Sequence, residues 1–96
     1  MNLHVETRGR FPRLCGIRTI VLHDRGGGIQ HIHQALLFDG PAPPPTLAAL
    51  EATARRAASR RVGLPTDLLV LHLEGPLPGS GPYRVDVARG VLVGRT

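Results

Sequence analysis

The chain has 96 residues, 42% hydrophobic and 20% charged, with a net charge of +5. That length holds one hydrophobic core and excludes two, so a single small domain over residues 1–96 is expected, and the composition is that of a folded chain. A lone cysteine, Cys15, excludes an internal disulfide and a multi-cysteine zinc site. No apolar run nears the roughly 20 residues of a membrane helix, and "MNLHVETRGRF" lacks a signal peptide's apolar core, so a cytoplasmic protein with no membrane partner is expected.

The N-terminal "NLHVET" has weak β alternation and is the least secure strand. "IRTIVLH" (Ile17 to His23) is β-branched and bounded by glycine, and "IQHIHQALLF" (Ile29 to Phe38) is a second strand. Between them "DRGGG" supplies the positive φ angles of a hairpin turn. Prolines 41, 43, 44 and 45 stiffen the exit, and Thr46 is placed to cap a helix, "LAALEATARRAASRRV", that stops at Gly63. Its buried stripe should be Leu47, Leu50, Ala54 and Ala57 or Ala58. "LLVLHLE" (Leu68 to Glu74) is the most apolar strand and is expected at the sheet centre. "YRVDV" and "VLVG" make a second hairpin around "ARG". The fold class is α+β, a single helix packed on a mostly antiparallel sheet, in the order β-β-β-α-β-β-β. One helix layer leaves the other sheet face open, and self-association is a natural way to cover it.

Three of the five histidines fall between His23 and His33. Alternation puts His31 and His33 on one face. With a five-residue "DRGGG" loop in simple register, His23 faces Ile29, Val21 faces His31 and Thr19 faces His33. All three imidazoles then share a face and could hold Zn²⁺ or another divalent metal; a one-residue slip sends His23 to the opposite face. His72 is a possible fourth group.

All twelve basic residues are arginine. Arg55, Arg56, Arg60 and Arg61 crowd the second half of the helix, where guanidinium groups could contact nucleic-acid phosphates; equally, cations there offset the helix dipole. No nucleophile, base and orienting group can be assembled into a catalytic set, so the reading leans away from an enzyme. What remains is a small non-enzymatic binding or protein-interaction module, homodimeric, with an Arg-rich nucleic-acid-binding protein and a histidine-based metal protein as alternatives.

Glu6, Glu51 and Glu74, in a β-β-β-α-β order, resemble the front half of the ribonuclease H-like fold, whose two-metal chemistry needs an Asp that the first strand here lacks. The glycine-rich hairpin and the Thr-initiated, Ala-rich "TLAALEATARRA" also resemble HicB-type antitoxins, over about half the chain. "DGPAPPP" stands where that family carries a proline-glycine-cysteine segment. The resemblance implies a truncated version of the same fold and an antitoxin-like regulatory role.

Overall fold

The computed structural model describes residues 13–61, 63–65, 67–79 and 81–94. The chain is an α+β protein, with five strands and one helix among the described residues: β1 (Leu14–His23), β2 (Ile29–Phe38), α1 (Leu47–Ala58), β3 (Leu69–Glu74), β4 (Tyr83–Asp86) and β5 (Val91–Gly94). The strand expected on "NLHVET" lies outside the described residues. β1, β2 and β3 form an antiparallel sheet in the order β2-β1-β3, while β4 and β5 pair only with each other. Thus β1 is the central strand, and the expectation that β3 would be central is corrected. The reason is visible in burial: Thr19 through His23 are all buried on β1, whereas β3 begins at an exposed Leu69 and ends at an exposed Glu74.

The helix starts where Thr46 places its hydroxyl to accept from Ala49 N–H at 3.1 Å. It ends at Ala58, and the chain turns away by way of Gly63, at φ +90°. Leu50, Ala54 and Ala58 face the sheet and pack with Ile20, Leu22 and Leu68, flanked by Ala35, Leu64 and Val70. Leu47 is half exposed and stands outside the stripe expected of it. Alanine at two of the three helix contacts lets the helix sit close over β1. Each fully buried Leu or Ile contributes about 1.5–3 kcal/mol, so this cluster is the main source of stability.

The hairpin register is not simple. His23 pairs with Ile29, but Leu22 pairs with His31 and Ile20 with His33, leaving Gln30 as an extra residue on β2. Local bonds explain the bulge. The Asp24 carboxylate accepts from Gly26 N–H (2.9 Å), Gly28 N–H (2.8 Å) and the Gln30 amide (3.3 Å). Arg61 then donates to the Gln30 carbonyl from the end of the helix (2.8 Å). A second irregularity leaves Cys15 extra on β1, between Leu14 opposite Phe38 and Gly16 opposite Leu37.

The far face of the sheet is covered at one end only. Val85 of β4 is buried and its N–H donates to Gly27 O (2.9 Å), docking the second hairpin on the tip of the first. Gly27 holds φ +91°, and a Cβ there would overlap the Val85 carbonyl, so only glycine serves at this contact. Val21 and His23 are buried on this face. A cleft runs between Leu69 and Leu71 of β3 and Val85 and Val87 of the hairpin.

Candidate functional site

The structure divides the three histidines. His31 and His33, opposite Leu22 and Ile20, lie on the helix face, while the bulge turns His23 to the other face beneath the second hairpin. His23 is buried and its Nδ1–H donates to Asp24 O at 2.8 Å. The three imidazoles therefore do not converge, because the Gln30 bulge shifts every later β2 residue by one place. Among the described residues, no group of three or more His, Cys, Asp or Glu side chains is arranged to hold a metal ion. The His31 and His33 rings stack with centroids 6.5 Å apart and planes 18° apart, side by side rather than aimed at one point. Nε2 of His31 is enclosed with no hydrogen-bond partner. Burial, then the Arg61 guanidinium and His33, holds the His31 pKa below the usual histidine value.

His72 joins this face through β3. It pairs with Ile20, so His33, Ile20 and His72 form one row across the sheet. Its Nε2 lies 3.7 Å from Glu51 Oε1, and Glu51 also accepts from Arg55 Nε at 2.9 Å. Of the expected carboxylate trio, Glu6 is outside the described residues. Glu51 is held by Arg55 and His72, and Glu74 by Arg18 across the β1–β3 pair at 3.0 Å. Glu51 and Glu74 thus have separate partners.

The four arginines of the helix also divide. Arg55 donates from Nη1 to Leu68 O (2.8 Å) and Arg61 to Gln30 O, tying the helix to β3 and to the hairpin. Arg56 on the helix and Arg60 in the turn that follows it are both exposed. Arg55 and Arg61 flank a pocket of about 220 Å³ floored by Leu22, Ala58, Leu64 and Leu68. It is smaller than the ~300–1,000 Å³ of ordinary small-molecule sites.

The largest unexplained feature is apolar. Ile32, Leu36 and Phe38 project from β2 away from the helix, and Leu14 sits opposite Phe38 on the same face. Their exposures are 37%, 56%, 52% and 53% in that order. Exposed apolar surface of this kind is often functional where the residues adjoin. β2 puts its bulkiest apolar side chains on the outer face. It turns His31, His33, Ala35 and Leu37 to the helix side and Ile32, Gln34, Leu36 and Phe38 away from it. The signal in "IQHIHQALLF" is weak, with three apolar residues at even positions (Ile32, Leu36, Phe38) against three at odd ones (Ile29, Ala35, Leu37). The more conspicuous histidines mask it.

Among the described residues β2 is also a sheet edge, ten residues long and free of Asp, Glu, Lys, Arg and Pro. Natural edges are usually blunted by such residues, since their open N–H and C=O groups invite another strand. The second hairpin stands across a cleft from β3 and also touches β2.

A small antiparallel α+β sheet with one uncharged edge and an adjoining apolar face defines a class by geometry alone. No family model, no curated protein and no solved structure matches the chain. No helix among the described residues is long and apolar enough to cross a membrane.

Proposed function

We propose that the chain is a protein-binding module whose working surface is the outer face of β2 and the edge that β2 presents among the described residues. The observation that carries this reading is the apolar outer face of β2, with Ile32, Leu36 and Phe38 turned to solvent while His31 and His33 take the helix side. Keeping about three large apolar side chains in water gains nothing for an isolated monomer, whereas covering them against another polypeptide stabilises by roughly 25 cal/mol per Å². Edge pairing adds main-chain hydrogen bonds that do not depend on side-chain identity.

A photo-crosslinking amino acid placed at Leu36, and separately at Arg56 on the helix, tests the reading in intact cells. The reading predicts one predominant polypeptide adduct from position 36, identified by mass spectrometry, and none from position 56. No polypeptide adduct at 36, or nucleic-acid adducts at 56 that fade with salt as phosphate contacts do, would overturn it.

A further inference from the structure

We infer that His31, His33 and Arg61 form an acid-sensitive latch between the end of α1 and the first hairpin, in which a proton on His31 loosens the hold of Arg61 on the Gln30 carbonyl. The latch stands whether or not β2 binds a partner. As the extra residue of the bulge, Gln30 has no opposite residue on β1, so its carbonyl is open to a partner outside the ladder. Arg61 fills that place from the turn after the helix, donating from Nη1 at 2.8 Å. His31 is the next residue along the strand. Its ring stacks on His33 with centroids 6.5 Å apart, and its Nε2 is enclosed with no hydrogen-bond partner among the described residues. An imidazole placed in this way is held neutral, because an enclosed cation without a partner is costly.

The groups around His31 make the coupling one-sided. Opposite it on β1 is Leu22, and opposite His33 is Ile20, and neither can share a charge. From the end of the helix come Arg61 and, on the same pocket, Arg55. The Glu51 carboxylate of α1 is held by Arg55 and by His72 of β3. Asp24 in the hairpin loop is engaged by Gly26, Gly28 and the Gln30 amide. His23 lies on the other face, where β4 also approaches, its Asp86 accepting from Arg89 N–H. Among the described residues neither His31 nor His33 pairs with a carboxylate. A proton on His31 therefore adds a cation beside the Arg61 guanidinium. Burial, then Arg61 and His33, hold the His31 pKa below its ordinary value of 6.5, and by linkage the proton weakens the bound position of Arg61 by the same factor that Arg61 weakens the proton. Loosening thus sets in below pH 6.5. Asp24 is then left as the remaining grip on the bulge, and the turn after the helix loses its tie to the hairpin.

Nuclear magnetic resonance of the full chain tests the latch, with the Gln30 carbonyl carbon and the His31 ring followed against pH. In the unaltered chain the carbonyl resonance is expected to move as His31 titrates, toward the position it holds at every pH in Arg61→Gln. In His31→Gln that movement should be lost. His31 should in turn titrate at a higher pH in Arg61→Gln than in the unaltered chain, and at an unchanged pH in Arg56→Gln, which removes an equal charge elsewhere on the helix. A carbonyl that moves as much in His31→Gln, or a His31 midpoint that Arg61→Gln leaves in place, overturns the inference. So does a midpoint that Arg56→Gln raises as far as Arg61→Gln does, since net charge alone would then be at work. Circular dichroism checks that each variant is folded, and if His31→Gln is not, the two arginine titrations decide the matter alone.

Discussion

The two faces of the β2-β1-β3 sheet are built from the same strands and finished differently. On the helix face, β1 supplies Ile20 and Leu22, and β2 supplies His31, His33, Ala35 and Leu37; Leu50, Ala54 and Ala58 close over Ile20 and Leu22. On the outer face, Val21 and His23 are closed over beside the second hairpin, but among the described residues nothing covers the end bearing Leu14, Leu36 and Phe38. A single helix stripe of one leucine and two alanines covers the central strand and little more. The contrast teaches that the chain completes one core with its own helix and leaves part of another unfinished, and β2 is where the two differ most.

The same residue type on the two faces gives the largest test. Leu22 is buried under the helix and Leu36 is more than half exposed. Leu22→Ala should cost about 2–5 kcal/mol in urea unfolding, and Leu36→Ala less than about 1 kcal/mol in dilute solution. Equal costs would mean that the outer face is already covered within one chain.

The covered end of the outer face depends on Gly27. Replacing it with alanine forces a side chain onto the Val85 carbonyl at φ +91° and should cost about 2 kcal/mol. Gly26→Ala, whose Cβ would meet only the Asp24 carboxylate at ordinary contact distance, should cost clearly less. Comparable losses would show that the hairpin does not dock through Gly27.

The smallest effect is one of pH. His31 binds its proton more weakly folded than unfolded, so below pH 6.5 the unfolded chain takes up that proton first. Its contribution to stability is complete above pH 6.5 and is lost as pH falls toward the lowered native value. Urea midpoints of His31→Gln should therefore fall less steeply than those of the unaltered chain below that pH. Parallel curves would remove His31 from the helix-side network.

Much of the fold was legible because its signals are local. Thr46 caps the helix, the glycine loop turns the hairpin, and Gly90 N–H closes the second turn onto Asp86 O at 2.8 Å. What was not legible depends on contacts between distant residues. The Gln30 bulge exists because Asp24 and Arg61 grip that residue from two sides, and no spacing within the hairpin announces it. The central place of β1 likewise follows from β3 returning beside it after the helix, with β4 and β5 forming a separate ribbon. Of the candidate site residues, His31 stays beside His33 and Arg55 lines one pocket with Arg61, while His23 is turned to the other face.

Amide hydrogen exchange of the isolated chain compares the two strands most directly. The account predicts that those β2 amides from Ile32 to Phe38 that point away from β1 exchange fast, while the amides of Thr19 to His23 on β1, which lies between two strands, stay protected. Protection of the outward β2 amides equal to that of β1 would contradict it.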